Sequence, residues 1–284
     1  MKRVLVTGGR GLLGREIREA FERRFEVRIT DLADLDVTSL PSCNREIGGY
    51  RPHVVIHCAA YTAVDRAESE PEIAHAVNAE GTRNVALASR SVGALTVTFG
   101  SDYVFDGALS RPYREEDPVR PLSVYAKSKL AAEEALKGTG GDYLLVRTQW
   151  LYGPGGRNFI SAILAKARKG ETLRVVSDQT GCPTYAKDLA AAVLKLVDAG
   201  ARGTVHFSNE GETTWYGLAR FVLDRSPAGR DAKLLPAATR DLSYPAPRPP
   251  YSVLSKEKYR KITGEYPRPW DEAAGEFLES IAEG

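Results

Sequence analysis

A tyrosine and a lysine stand four residues apart in "SVYAKSKL", where Tyr125 and Lys129 would share one face of a helix. Bringing a tyrosine pKa from about 10 to near 7 asks for about 4 kcal/mol, part of which a nearby ammonium group can supply. Ser101, in "FGSDYVF", could hold a substrate oxygen by a hydrogen bond. The three side chains together could protonate a carbonyl oxygen while hydride reaches its carbon. By themselves, a tyrosine and a lysine at this spacing are usually only part of a solvated helix face.

Three glycines predict a second chemical feature at the start of the chain. Gly8, Gly11 and Gly14 lie three apart in "VTGGRGLLG", between an apolar run that suits a buried strand and the helical pattern "LLGREIREAFERR". The first turn of a helix offers unpaired N–H groups, and glycine lets a pyrophosphate approach them closely. This position in the chain predicts a dinucleotide-binding turn, with Leu12 and Leu13 beside the cofactor.

Two residues near this turn favour different cofactors. Asp31 ends the second predicted strand, where a carboxylate can accept hydrogen bonds from the ribose hydroxyls of NAD. Arg10, inside the glycine turn, could instead pair with the 2′-phosphate of NADP. Both residues are also compatible with an ordinary surface position, so NADH and NADPH remain open.

The elements that must position these residues alternate between strand and helix. Fully apolar strand segments such as "HVVIHCAA" and "YLLVRTQWLYG" indicate a parallel sheet with helices on both faces. We therefore predict an α/β fold, a Rossmann-type doubly wound sheet in residues 1–153. Residues 154–284 are expected to form mostly a smaller substrate-binding lobe, with parts of about 173–207 rejoining the sheet.

Composition excludes several function classes. A formal net charge of +2 gives no electrostatic footprint for nucleic acid, and no apolar run is long enough to span a membrane. The opening "MKRVLVTGG" is too short an apolar run for a signal peptide. Three widely spaced cysteines predict reduced thiols and a cytoplasmic location, with no metal site.

The combination of motifs resembles a known family. The glycine turn, Ser101, Tyr-x-x-x-Lys and Asn78 in "NAEGTRN" together resemble the extended short-chain dehydrogenases/reductases. More narrowly, "HCAAYTAVDRAESEPE", "SDYVFDG", "RPLSVYAKSKLAAE", "RTQWLYG", "DQTGCPTYAKDLA" and "PRPPYSVLS" are similar to the dTDP-4-dehydrorhamnose reductases. The resemblance implies reduction of the C4 ketone of a nucleotide-linked deoxysugar, with Tyr125 as proton donor.

The resemblance also implies roles for individual residues. Ser101, Tyr125 and Lys129 would be catalytic, and Lys129 would hold the nicotinamide ribose. Further cofactor contacts are implied for Asp36, Val37, Ala59, Ala60 and Tyr61. Substrate contacts are implied for Thr62, Val64, Ser101, Asp102, Tyr103, Tyr125 and Trp150. Arg248, in "APRPPYS", is one candidate for the substrate diphosphate, although a surface arginine is equally compatible with the pattern.

The chain departs from the family pattern at two positions, and two other functions stay open. Ser101 replaces a usual threonine and keeps the hydroxyl, whereas Gly100 replaces a frequent serine and removes a polar group. Some family members form a homodimer around magnesium, but no metal ligands can be assigned in this sequence. One alternative is another nucleotide-sugar reductase or epimerase. The other is a non-catalytic regulatory subunit of methionine adenosyltransferase, against which the intact Ser101, Tyr125 and Lys129 set argues.

Overall fold

The computed structural model describes residues 1–282 and has a parallel sheet at its centre. The strands are, in chain order, β1 (Arg3–Thr7), β2 (Glu26–Thr30), β3 (Val54–His57), β4 (Leu95–Ser101), β5 (Tyr143–Thr148), β6 (Leu151–Tyr152), β7 (Leu173–Val176), β8 (Thr180–Gly181), β9 (Thr184–Tyr185), β10 (Gly203–His206), β11 (Thr213–Thr214) and β12 (Leu234–Ala237). Six of them form the main sheet in the order β10-β5-β4-β3-β1-β2, all pairs parallel. The predicted α/β Rossmann-type class is confirmed.

Helices cover both faces of this sheet. They are α1 (Leu12–Phe21), α2 (Leu40–Tyr50), α3 (Val64–Ala67), α4 (Pro71–His75), α5 (Gly81–Ser91), α6 (Val124–Gly138), α7 (Phe159–Arg168), α8 (Ala186–Asp198), α9 (Trp215–Asp224), α10 (Glu257–Thr263) and α11 (Trp270–Ala282). The apolar residues of α1 and α8 pack on one face, and those of α2 and α5 pack on the other. Such burial on both faces explains why the sheet strands are continuous apolar runs.

The strand order determines where a ligand can enter. β1 has β2 on one side and β3 on the other, so the chain reverses its direction of winding between β1 and β3. In a doubly wound sheet the ligand crevice lies at this reversal, outside the carboxyl ends of the strands. Thr7, His57 and Ser101 are the last residues of β1, β3 and β4, and all three therefore face this crevice edge.

The sequence pattern does not predict helix α2, because "LPSCNREIGGY" contains two glycines and shows little helical periodicity. Its start is nevertheless marked, since the Ser39 side chain accepts a hydrogen bond from the Ser42 N–H and a proline lies in its first turn. Packing of Cys43 and Ile47 into the core then stabilises a helix of low intrinsic propensity.

The stretch "EPEIAHAVNAEGTRNVALASRSVG" forms one helical run with a local change of winding. A π-helical segment, Ala76–Glu80, joins α4 to α5 and contains the buried Asn78. A π-bulge widens one turn of the backbone and redirects the side chain at that point. Here it turns Asn78 toward the loop after β3.

The second lobe has its own core. Helices α7, α9 and α11 pack with the β7–β12 pair around Tyr152, Tyr185 and Phe277. Within residues 173–207, β10 joins the main sheet beside β5, and α8 packs against α1. Strand β7 instead pairs with β12 in the second lobe. The chain thus returns to the Rossmann core before it completes the second lobe.

Two features are absent from residues 1–282. No helix in this part of the chain is long and apolar enough to cross a membrane. The same residues contain no group of three His, Cys, Asp or Glu side chains placed to hold a metal ion.

Candidate active site

The glycine turn between β1 and α1 has the shape that a bound phosphate requires. Gly8 has a φ of +62°, and a Cβ atom there would lie 2.7 Å from the Ala59 backbone N. A Cβ on Gly14 would lie 2.4 Å from the Gly8 carbonyl oxygen. Gly11 caps α1 without a side-chain hydrogen bond, which leaves the first N–H groups of the helix available to a ligand. The residues therefore fit the pyrophosphate of a dinucleotide.

Asp31 lies at the end of β2, next to this turn. Its carboxylate accepts hydrogen bonds from the backbone N–H of Arg10 at 3.1 Å and of Leu32 at 3.0 Å. The Asp31 side chain thus fixes the backbone of the glycine turn, and the Arg10 side chain is exposed beside it. Asp36 accepts hydrogen bonds from Thr38 instead, and Val37 is buried in the core.

Ser101 and Tyr125 meet at the end of β4. The Ser101 side chain interacts with the tyrosine and lowers its pKa, and it accepts the Tyr103 N–H at 3.2 Å. Burial and the neighbouring Asp102 carboxylate raise the pKa of Tyr125 to about 12. The sequence suggested that Lys129 would draw this pKa toward neutrality, but in the protein alone burial outweighs any such effect. The hydroxyl is therefore protonated at neutral pH, as a proton donor must be.

Lys129 lies one turn further along α6 and is only 7% exposed. Its Nζ donates a hydrogen bond to the Phe99 carbonyl of β4 at 2.7 Å. Burial lowers the pKa of Lys129 to about 8, and the carboxylate of Glu133 opposes this change. The Lys129 ammonium group thus lies at the crevice edge of the sheet, and its pKa is only slightly above neutral pH.

Asn78 ties three parts of the site together. Its amide oxygen accepts the Tyr61 N–H at 2.8 Å, and its amide nitrogen donates to the Tyr61 carbonyl and to Ser128 Oγ. The Ser128 hydroxyl donates in turn to the Tyr125 carbonyl at 2.7 Å. The loop that follows β3 is thereby fixed to the helix that carries Tyr125.

Asp102 is buried directly beside Ser101 and Tyr125. Its carboxylate accepts hydrogen bonds from Ser252 Oγ at 2.6 Å and from Ser101 Oγ at 3.1 Å. Burial raises the pKa of Asp102 to about 7, although both hydroxyls act against that rise. Ser252 belongs to the proline-rich tail, and sequence reasoning missed it because nothing in "PPYS" marks a partner 150 residues away.

Trp150 contributes an aromatic surface to the same site. Its φ of +45° is rare for a bulky side chain, and it lies in the two-residue link between β5 and β6. The indole stacks on Trp215 with ring centroids 3.6 Å apart, and Gly181 packs against its edge, where a Cβ would clash. The pair gives the cavity a flat apolar surface of the kind that a sugar ring or a base can lie on.

One cavity of about 740 Å³ connects these groups. Of the predicted site residues, it is lined by Gly8, Gly11, Leu12, Leu13, Ala60, Thr62, Val64, Ser101, Asp102, Tyr103, Tyr125, Lys129 and Trp150. Arg10, Asp31, Asp36, Val37, Ala59 and Tyr61 lie outside its lining. Ala59 still contacts Gly8 at the crevice edge. The volume suits a ligand of several hundred Å³.

The second lobe contributes residues to the cavity that the sequence did not reveal. Phe159, Ala162, Ile163 and Lys166 form one stripe of α7 that faces it, and Arg174 reaches it from β7. Arg248 also lines it, but both carboxylate oxygens of Asp65 pair with that guanidinium, at 2.8 and 3.0 Å. Lys166 and Arg174, like Arg157, have no carboxylate partner within residues 1–282.

The strand order, the glycine turn and the Ser101–Tyr125–Lys129 set define a class: an extended short-chain dehydrogenase/reductase on a Rossmann-type sheet. Comparison with known proteins is more specific. The family described as "RmlD substrate binding domain" matches residues 1–283. This chain belongs to that family, the dTDP-4-dehydrorhamnose reductases, and the family and oxidoreductase class predicted from sequence are confirmed.

Individual relatives match over nearly their full length. The dTDP-4-dehydrorhamnose reductase of Streptomyces griseus is 41% identical over 98% of this chain and 94% of its own. The spore coat polysaccharide biosynthesis protein SpsK of Bacillus subtilis is 40% identical over 98% of both chains. The dTDP-4-dehydrorhamnose reductase of Bacillus anthracis, solved with NADP, has a TM-score of 0.95 and 36% identity over 99% of this chain and 100% of its own. A nicotinamide cofactor is thus confirmed for the family.

Proposed function

We propose that this protein reduces the C4 ketone of dTDP-4-dehydro-L-rhamnose to dTDP-L-rhamnose. The observation that carries the proposal is one cavity that joins the glycine turn to Ser101, Tyr125 and Lys129. Bound NADPH or NADH would supply the hydride to C4. Tyr125 would give its hydroxyl proton to the O4 atom, so that ketone becomes alcohol with the gain of two hydrogens.

Each residue of the set has a role that follows from its surroundings. Ser101 Oγ lies beside the Tyr125 hydroxyl and would hold O4 by a hydrogen bond. Because burial keeps Tyr125 protonated, its proton is available at neutral pH. Lys129 would hold the nicotinamide ribose and place positive charge near the tyrosinate that forms.

The glycine turn would hold the cofactor pyrophosphate at the start of α1. Gly8 and Gly11 would allow its close approach, and Leu12 and Leu13 would lie against it. Ala59, Ala60 and Tyr61 would follow the cofactor past β3, and Asp36 and Val37 would lie toward its adenine. Arg10 and Asp31 stand where the adenosine ribose would bind, and they leave the choice between NADPH and NADH to measurement.

The substrate would lie between the two lobes. Trp150, Thr62 and Val64 would contact the deoxysugar, with Asp102 and Tyr103 accepting and donating hydrogen bonds at its hydroxyls. The diphosphate needs positive charge, which Arg157, Lys166 and Arg174 provide without a carboxylate partner in residues 1–282. Arg248 would add to them, although Asp65 already compensates its charge.

The test is an assay with enzymatically prepared dTDP-4-dehydro-L-rhamnose and each reduced cofactor in turn. We expect the nicotinamide absorbance to fall and the sugar nucleotide to gain the mass of two hydrogens. The ratio of kcat/KM for NADPH and NADH then gives the cofactor preference. A protein that binds cofactor but leaves this ketone unchanged would favour another nucleotide-linked sugar or the non-catalytic regulatory-subunit function.

A further inference from the structure

A buried ion pair lies beneath the proposed active site. Glu133 on α6 and Arg147 on β5 meet fork to fork, with Nε–Oε1 and Nη2–Oε2 distances of 2.9 and 2.7 Å. Their side chains are only 1% and 4% exposed. Arg147 also contacts His206 Nε2 at 3.3 Å and the Glu115 carbonyl at 3.3 Å. A pair this buried is costly to desolvate, so fold stability alone is a weak explanation for it.

The pair packs directly against the strand that carries Ser101. A Cβ atom on Gly100 would lie 2.8 Å from both Glu133 Oε1 and Arg147 Cγ. Only glycine lets the ion pair approach this backbone so closely. Gly100, immediately before Ser101, is therefore explained by packing, because its missing side chain leaves room for the ion pair beneath the end of β4.

Glu133 also lies one helical turn beyond Lys129 and two turns beyond Tyr125. Its carboxylate raises the pKa of Lys129 against the effect of burial. The other groups around Lys129 are the Phe99 carbonyl of β4, His57 on β3, and Arg147 on β5 behind Glu133. Burial and Lys129 lower the pKa of His57 to about 3, so His57 is neutral and Glu133 is the anion among these groups. Lys137, whose Nζ lies 3.9 Å from Glu133 Oε2, is a second cation beside that carboxylate.

We propose that the Glu133–Arg147 pair is a positioning device for proton transfer: it braces helix α6 and strand β5 against Gly100 and so sets the separation of Ser101 from Tyr125 and Lys129. The inference rests on the proposed function and adds two residues that touch neither substrate nor cofactor. Because a misplacement of about 1 Å can cost about 100-fold in rate, a shift of α6 against β4 would be visible in kcat.

Three variants separate geometry from charge. Glu133→Gln removes the anion, and we expect kcat to fall at least about ten-fold. The pH midpoint above which NADPH binding is lost should fall below that of the parent, because the Glu133 carboxylate that raises the pKa of Lys129 is gone. Glu133→Leu with Arg147→Met removes both charges, which should restore the melting temperature but neither kcat nor the midpoint. Gly100→Ala keeps both charges but displaces the pair from β4, and it should lower kcat.

Asp188→Asn is the matched control. Asp188, on α8, accepts a similar pair of hydrogen bonds from Arg268, with Nε–Oδ2 and Nη2–Oδ1 distances of 2.8 Å. Neither residue lines the cavity. We expect this variant to melt at lower temperature with the parent kcat and midpoint. The proposal is overturned if the Glu133 variants change only the melting temperature, or if Gly100→Ala keeps the parent kcat.

The midpoint of NADPH binding, followed by fluorescence, requires no sugar substrate. If the parent protein proves inactive on dTDP-4-dehydro-L-rhamnose, the proposed substrate is wrong. The link between Glu133 and Lys129 is still tested by the same titration.

Discussion

The two ends of the central sheet each open into a cavity, yet only one has the features of an active site. The cavity at the amino ends of the strands, of about 810 Å³, is slightly larger than the one of about 740 Å³ at the carboxyl ends. Its lining includes Lys2, Arg3, Arg24, Arg51 and Arg202. It contains no glycine turn at a helix start and no hydroxyl set.

The direction of the peptide chain explains the difference. At the carboxyl ends, strands lead into helix starts, whose free N–H groups attract anions. At the amino ends, helices finish and their carbonyl groups carry partial negative charge. Of the cations there, Arg24, Arg51 and Arg202 follow the ends of α1, α2 and α8 and complement those helix ends, and Arg24 pairs with Asp198. Cavity size alone therefore does not identify the site, whereas sheet polarity does.

Removing the Tyr125 hydroxyl should have the largest effect at the carboxyl end. Tyr125→Phe leaves the packing with Tyr103 in place but deletes the proton donor, so kcat should fall about 10²–10⁴-fold with nearly unchanged cofactor affinity. Steady-state kinetics and cofactor titration measure both quantities. Tyr50→Phe, near the amino end, loses a hydroxyl bonded to the Glu26 carbonyl and should keep the parent kcat. A Tyr125→Phe protein with parent turnover would falsify the proposed mechanism.

Two glycines with the same backbone conformation allow a closer comparison of the two ends. Gly8 and Gly93 have φ values of +62° and +70°, but a Cβ on Gly93 would meet nothing within 4 Å. Gly93→Ala should cost about 1 kcal/mol of unfolding free energy from backbone strain alone. Gly8→Ala should cost more and should weaken cofactor binding at least ten-fold, because its methyl group collides with Ala59. Equal losses in both variants, measured by denaturant unfolding and cofactor titration, would contradict the close approach at Gly8.

Asp102 should make stability depend on pH. Its pKa is raised from 3.8 to about 7 in the folded protein, so the folded state holds a proton that the unfolded chain has lost between these values. Stability from this group is therefore greatest at low pH and declines as pH rises toward 7. Asp102→Asn removes the ionisation, and its stability relative to the parent should increase between pH 5 and pH 8 by on the order of a few kcal/mol.

Thermal unfolding of both proteins across this range measures the difference. Asp117→Asn should show no such trend, because the hydrogen bond from Arg111 lowers the pKa of Asp117 to about 2, below this range. A constant difference between parent and Asp102→Asn would mean that Asp102 titrates normally.

The smallest effect is expected at Arg51, which lines the amino-end cavity. Arg51 follows α2 with a φ of +49°, a conformation that glycine adopts at lower cost. Arg51→Gly should leave kcat unchanged and stabilise the fold by up to about 1 kcal/mol, seen as a higher melting temperature. A loss of activity in this variant would mean that the amino-end cavity has a function of its own.

Local sequence patterns were enough to predict the sheet strands, the glycine turn and the tyrosine–lysine pair. Apolar runs gave the sheet strands, because strands buried on both faces admit few polar residues. The glycine turn and the Tyr125–Lys129 spacing were readable because both depend on contacts within a single strand–helix unit or a single helix. Helix α2 was missed because its stability comes from burial of Cys43 and Ile47 and not from propensity.

Tertiary structure alone decided the remaining contacts of the site, because they join residues far apart in the chain. Ser252 reaches Asp102 from the tail, Glu133 and Arg147 meet under Gly100, and residues of α7 and β7 line the same cavity as Trp150. Such pairings leave no periodicity or spacing in the sequence. They also set the burial that raises the pKa of Tyr125 and lowers that of Lys129, and thus the chemistry of the two residues whose spacing the sequence displays.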